Sequence, residues 1–580
     1  MSDPRGRRGR WRIEFGSGGT QPPRGPRRPT AGDDAGRPRR PGFGRRSRLL
    51  VLAVLLVLLA LTLLFLRPLL HGPLMLVWRA PLPWIVALGI LAAGGIVGRR
   101  ARLTVADLQA GRDPRSGVWA ATLTLAGVSF CALQALNPVL VQRSLAAHTD
   151  YTAIDEFPHS GVVRLVPREV AGRVMVAGFN SSTERLTDLA VINTPDGLKW
   201  SAIRTPQGAL RRYTEKSGGL ELQSAEDPTR NVEQLDASFK YAPGLAVFDA
   251  LNWKLRERRL LADVQAPVGI LDSDGEPLVL VPYLTYTGFP IRRPQLGGAF
   301  VVHPSGQIED LSPSEAARRP EIATSGRLFP DTLARRIQDA HALKGGIWNY
   351  LLLHKDQTQI VDTESNRQPY LLQGPGNSTS WVSVAQPHGA SSATTAIFLT
   401  DSTTGATKLW KVAPRDALTG NARAIDIAEA TPIAGIGFGT GGAANPTSGS
   451  YRAVEPRPVF VQGKLYFIVS VVPSTATTVT KTIVVDAQRN ATAAVFDTTE
   501  EGLRDTLSFL ENGLAGDAQD ESDDATDQPQ ATAGQPDETP AATTPQSRAE
   551  LQRQVTRALE RQQQALEELK TLQQQLGTTP

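Results

Sequence analysis

The chain has 580 residues, room for several domains, and a net charge of only +5 that hides an asymmetry. Residues 1–48 hold fourteen Arg against four acidic residues, a net +10, so the remainder is near −5. One cysteine, Cys131, excludes an internal disulfide and a thiolate zinc cage, and it leaves the redox compartment open.

The tail at 1–47 spaces Arg5 to Arg46 among Pro and Gly without an apolar period, which predicts a disordered cytoplasmic segment. Its adjacency to an apolar run makes it a topology signal. Binding to anionic lipid or to nucleic acid is the functional alternative, and nucleic acid is the less expected partner.

The membrane region is expected over 48–143, with about three transmembrane helices. Leu49 to Leu66 reads LLVLAVLLVLLALTLLFL, with only Thr62 polar. At ~1.5 Å per residue it spans about 27 Å, close to the hydrocarbon thickness of a bilayer. Its length and the lack of a small-residue cleavage site argue against a cleaved signal peptide. A second run, 82–98, begins among Pro81, Pro83 and Trp84 and stops at Arg99, Arg100 and Arg102. A third, 118–136, is diluted by Thr122, Thr124, Ser129 and Gln134, and Asn137-Pro138 is expected to close it. Arg residues number fourteen in residues 1–48, two in the 67–80 connection and five in the 99–117 loop. That alternation predicts a cytoplasmic N-terminus and, after three spans, an extracytoplasmic remainder in the cell envelope.

From 150 to 512 the chain shows short β-rich runs, tight turns and few long helical patterns, which predicts α+β architecture. Three stretches share one order: strand, turn, strand, gap, strand, turn, strand, helix. They lie near 265–318, 358–420 and 456–511, with turns at Asp272–Gly275, Asn366-Arg367 and Gln462-Gly463. A short helix is expected from Pro414-Arg415-Asp416, and another over 499–510 with Thr498 or Thr499 as N-cap. Each unit is expected to be a small antiparallel sheet packed with a helix.

The phrases GAFVVHPSGQIEDLSPSEA and RPVFVQGKLYFIVSVV with KTIVVDAQRNATAAVFDTTEEGLRDTL resemble uncharacterised bacterial membrane proteins. Those have a few N-terminal spans followed by extracytoplasmic modules similar to PepSY or cystatin-like units. The resemblance covers about 155–512 and implies an envelope protein. The order of a β-rich end, an acidic linker and a helical tail also looks a little like a second uncharacterised bacterial membrane family, which has more spans.

Residues 513–546 form an acidic linker, with eight acidic residues from Asp517 to Glu538 and no basic one, predicted disordered. Ser547 to Glu550 is a capping box that starts a helix expected over 547–577. Leu551, Val555, Leu569, Leu572 and Leu576 share its a and d positions with Ala558, Gln562 and Ala565. Those three weaken a coiled coil, so an amphipathic helix docking on a partner is an equal reading.

Candidate chemistry is sparse. The seven His (71, 148, 159, 303, 341, 354 and 388) form no metal spacing, with His303 expected in a turn and His354 at a strand start. There is no nucleophile elbow and no Walker lysine. Gly437 to Gly442 fits G-x-G-x-x-G, but the loop AANPTSG follows it where a phosphate cradle needs a helix. Asp272-Ser-Asp274-Gly lacks the Glu an EF-hand needs at position twelve, where Tyr283 stands. No catalytic, cofactor or metal residue is assigned. The function expected is that of a non-enzymatic membrane-anchored envelope protein whose modules and terminal helix bind other envelope components. A transmembrane sensor coupling an exported ligand to the tail is the alternative, and an envelope hydrolase ranks below both.

Overall fold

A computed structural model describes residues 50–59, 67–100, 114–158, 163–179, 181–362, 367–389, 391–413, 418–439, 450–475 and 478–513. The chain divides at Gly513 into two compact units, and all described residues belong to the first. The Arg-rich tail, the acidic linker beyond Gly513, the helix at 547–577 and the helix start at Pro414-Arg415-Asp416 lie outside them.

Helix α1 (Leu50–Leu59) covers part of the first expected span. A 3-10 turn (Arg67–Leu70) then leads into α2 (His71–Arg79), a helix within the short connection between the first two expected spans. Among the described residues two helices are long and apolar enough to cross a membrane, α3 (Pro81–Arg100) and α4 (Pro114–His148). Their apolar windows are only 17% and 6% buried, whereas the core helix of a soluble protein is mostly buried. They pack antiparallel, with the Trp84 ring 4.9 Å from Phe130 in an edge contact. Gly94 lies against Thr122 and Gly98 beside Trp119; a Cβ on Gly94 would collide with Thr122. This small-xxx-small spacing lets the two backbones approach closely.

The stop expected at Asn137-Pro138 does not occur. Helix α4 continues through Pro138 to His148, because a proline forfeits its own N–H bond while packing holds the next turns. Leu145 and Ala146 are buried in the main core.

Beyond α4, β1 (Tyr151–Ile154) and α5 (Arg168–Gly178) precede a run of small antiparallel sheets. The first is a meander of β2 (Glu184–Thr194), β3 (Gly197–Pro206), β4 (Ser217–Ser224) and β5 (Glu233–Phe239), followed by α6 (Leu251–Arg258). It lies outside the three stretches whose likeness was legible. In the second sheet β6 (Asp263–Val264) and β7 (Val268–Leu271) pair β8 (Pro277–Thr287), followed in order by β9 (Arg293–Val302) and β10 (Ile308–Leu311). Three helices come next: α7 (Pro313–Arg318), α8 (Pro320–Ser325) and α9 (Asp331–Ala340). Ser312 and Glu315 close a capping box on α7.

The third sheet departs from the expected hairpin at 358–373. β11 (Thr358–Gln359) and β12 (Tyr370–Gln373) do not pair each other; both pair β13 (Thr379–Pro387), at opposite ends of it. β15 (Ala396–Asp401) and β16 (Thr407–Lys411) complete the meander, and β1 adds to its edge in parallel. A two-stranded ribbon of β14 (Ala393–Thr394) and β17 (Leu418–Thr419) leads into α10 (Asn421–Ala430). The fourth sheet is the meander β18 (Tyr451–Val461), β19 (Lys464–Pro473), β20 (Lys481–Asp486) and β21 (Ala491–Asp497). Its first turn is Gln462-Gly463, both at positive φ, the backbone a two-residue hairpin loop requires. Thr499 caps α11 (Glu500–Asn512), its hydroxyl accepting from the Gly502 N–H at 3.2 Å.

Candidate functional site

Where α5, α9, β3, β13 and β18 meet, they enclose an open cavity of about 1150 Å³. Two tryptophans from different sheets make its apolar backing. Trp200 on β3 donates its indole N–H to the Val166 carbonyl at 3.1 Å, and Trp381 on β13 donates to the Phe329 carbonyl at 2.8 Å. Each carries an arginine: the Arg164 guanidinium lies 4.9 Å from the Trp200 ring, and Arg327 lies 4.8 Å from Trp381.

Most carboxylates in the wall are engaged. Glu455 accepts from Arg164 at 2.6 Å and from the backbone N–H of Arg168 at 3.0 Å, the first residue of α5. Arg335 holds Asp339 through Nε at 2.9 Å and Asp362 through Nη1 at 2.9 Å. Burial lowers the Arg335 guanidinium, yet Asp339 and Asp362 outweigh it and the net shift is upward. Burial also raises the Asp339 carboxyl, opposed by Arg335. Glu169 serves Arg173 and Arg452.

The cations are not all matched. Among the described residues Arg327, Arg168, Arg336 and Arg367 line the cavity without an ion pair within 4.0 Å, and Asp331 is the carboxylate left to face them. Arg327 sits deep in the wall yet keeps partial exposure because it faces the cavity. Burial lowers its pKa, Asp331 opposes this and Arg168 reinforces it; a guanidinium so placed still carries its charge.

Tyr370 adds a neutral donor. Its side chain is 5% exposed and lines the cavity, and its hydroxyl has no hydrogen-bond partner among the described residues. Arg164 lies over its ring at 5.6 Å. Burial and then Glu455 push the phenol well above its ordinary value, so it is a donor at any physiological pH. A buried hydroxyl without a partner costs about 1–3 kcal/mol, which an acceptor on a ligand would recover.

None of these residues was given a site role from the sequence, where they are scattered from Arg164 to Glu455 and Arg367 reads only as half of a turn. The local signal that could have marked some of them is i,i+4 charge spacing, Glu169 with Arg173 and Arg335 with Asp339. Of the residues that were weighed, His303 lies in a turn and meets Glu309 at 2.8 Å. His354 is not at a strand start: it ends a π-helical turn at φ 51° and stacks on His388 at 4.3 Å. The Asp272 carboxylate accepts from the N–H groups of Asp274 and Glu276, the pattern of a side-chain-capped turn. Gly437 and Gly439 follow an isolated bridge rather than a strand, and 440–449 lie outside the described residues. Among the described residues no group of three or more His, Cys, Asp or Glu could hold a metal ion.

No protein-family model, curated protein or solved structure matches the chain, so its resemblance to PepSY or cystatin-like membrane proteins stands on the quoted residues alone.

Proposed function

We propose that this is a membrane-anchored binding protein whose α+β region holds an anionic component of the cell envelope in the arginine-lined cavity. The observation that carries this reading is Arg327, a cation without an ion pair, stacked on Trp381, in a wall that also presents the unpartnered Tyr370 hydroxyl. A carboxylate or phosphate seated there would meet a charged, planar donor in a partly water-excluded site, where such bonds are strongest. The function is binding rather than catalysis, because the wall's carboxylates are mostly committed to arginines. The tail is cytoplasmic and the cavity extracytoplasmic in this reading, as the distribution of Arg implies.

The test is the thermal stability of the purified full chain at constant ionic strength, titrated with inorganic phosphate and then with citrate. Stabilisation that Arg327→Gln removes supports the reading. An equal response in the variant, or none in the parent, sinks it.

A sensor is the second reading, and one observation favours it. Helix α4 runs without interruption from the apolar segment into the core, where it packs on α9. The opposite face of α9 supplies Arg335 and Asp339 to the cavity. A ligand that shifts α9 would therefore push directly on a span.

A further inference from the structure

We propose that the α+β region rests on the bilayer through two apolar tips that flank the places where α3 and α4 leave it: the turn at Phe289 and the turn at 348–353. The inference depends on α3 and α4 crossing the membrane, and is independent of the cavity.

The helix pair places the boundary. Trp84 meets Phe130, Gly94 meets Thr122 and Gly98 meets Trp119, so Pro81 and Pro138 lie at the same end of the pair. Val139, Val141 and Leu145, just past Pro138, already pack on the α+β core. The bilayer therefore ends near Pro81 and Pro138.

Phe289 forms the tip of the β8–β9 hairpin and is 73% exposed. Three residues on, the Arg292 guanidinium lies 3.5 Å from the centroid of Trp78, which itself precedes Pro81 by three residues. Arg79 reaches Asp263 of the same sheet, and His71 Nδ1 lies 2.7 Å from the Leu260 carbonyl oxygen. The hairpin tip thus stands at the level where α3 enters the membrane.

The second tip reaches the same level by a different route. Leu145 shares a crevice with Leu333 near the start of α9, and the 3-10 turn His341–Leu343 that follows α9 still touches α4. Helix α9 must therefore run antiparallel to the end of α4, carrying the chain back toward the membrane. There it exposes Trp348 (74%), Leu352 (67%) and Leu353 (73%) in one turn.

Lipid is the occupant that fits. The two tips continue an apolar surface already offered by α3 and α4, where Leu88, Leu123 and Val128 are exposed. Trp348 sits where aromatic residues concentrate at membrane interfaces, and the exposed Lys355 follows its turn as a phosphate partner.

In a Cys131→Ala background, single cysteines at Phe289, Leu352, Leu125 and Asp274 would carry an environment-sensitive fluorophore. The full chain would be reconstituted in phosphatidylcholine–phosphatidylglycerol vesicles and quenched with doxyl-labelled lipid or with iodide. Leu125 reports the span and Asp274 the aqueous phase. Phe289 and Leu352 are expected to be quenched by doxyl lipid, and several-fold less by iodide than Asp274. Iodide quenching of either tip equal to that of Asp274, with Leu125 in lipid, overturns the proposal and leaves the spans standing. A tip reached by neither quencher is covered by protein, which also overturns it. Iodide access at Leu125 removes the spans and the proposal with them.

Discussion

Arg164 and Glu455, 291 residues apart, form an ion pair at 2.6 Å in which each side chain is only 10% exposed. It ties the segment just beyond the two long apolar helices to the first strand of the last sheet. Glu455 holds a positive φ of 49° at a bulge in β18, which turns its carboxylate toward both Arg164 and the first N–H of α5. The wall of the cavity is therefore closed by a contact between the two ends of the α+β region.

Removing that carboxylate should cost far more than the pair contributes. In Glu455→Ala, Arg164 and Arg457 keep their charge without their acid; burial already lowers Arg457 to about 10, with Glu455 opposing. A loss of roughly 3–5 kcal/mol is expected in denaturant unfolding, with a smaller loss for Glu455→Gln. A change under 1 kcal/mol for the alanine variant would mean the pair is not closed in solution.

Tyr370→Phe separates binding from folding. Deleting a hydroxyl that has no partner should leave the ligand-free chain as stable as the parent, or about 1 kcal/mol more so. Stabilisation by phosphate should fall at the same time. A destabilised variant would reveal an acceptor already bound to the hydroxyl.

His341 predicts acid sensitivity of the fold. Its ring packs edge-on to Tyr151 at 5.0 Å and Phe398 at 5.2 Å. Burial, then Lys344 and Lys411, lower it from 6.5 to about 4. The unfolded chain therefore takes up the proton first. The stability from the neutral ring is complete above pH 6.5 and is lost as pH falls through 6.5 toward 4. Melting temperatures across that window should decline less steeply in His341→Gln than in the parent; parallel curves would refute the assignment.

Gly94→Leu should separate α3 from α4, because its side chain falls where Thr122 already stands. Crosslinking between cysteines introduced at Trp84 and Phe130 should drop sharply relative to the same pair with Gly94 intact. Unchanged crosslinking would show that the helices approach by another face.

Sidedness is tested by a cysteine at Asp274, in an exposed turn, in the Cys131→Ala background. A membrane-impermeant thiol reagent should label it in intact cells. Labelling only after lysis would place the cavity in the cytoplasm.

What the sequence determined by itself is local. Apolar length marked 82–98 and 118–136, because a helix long and apolar enough to cross a membrane is written in one continuous run of residues. Asp272–Gly275, Gln462-Gly463 and Thr499 were legible because turns and caps are decided by backbone conformation within a few residues. The continuation of α4 past Pro138 was not, since packing against a core formed hundreds of residues away outweighs one lost hydrogen bond. Nor was the pairing of β11 and β12 with β13, where both turn to a common neighbour instead of to each other. The cavity was the least legible of all. Arg327, Tyr370 and Glu455 look like ordinary surface residues in one dimension, and only the convergence of three sheets and two helices gathers them, pairs some and leaves others unmatched.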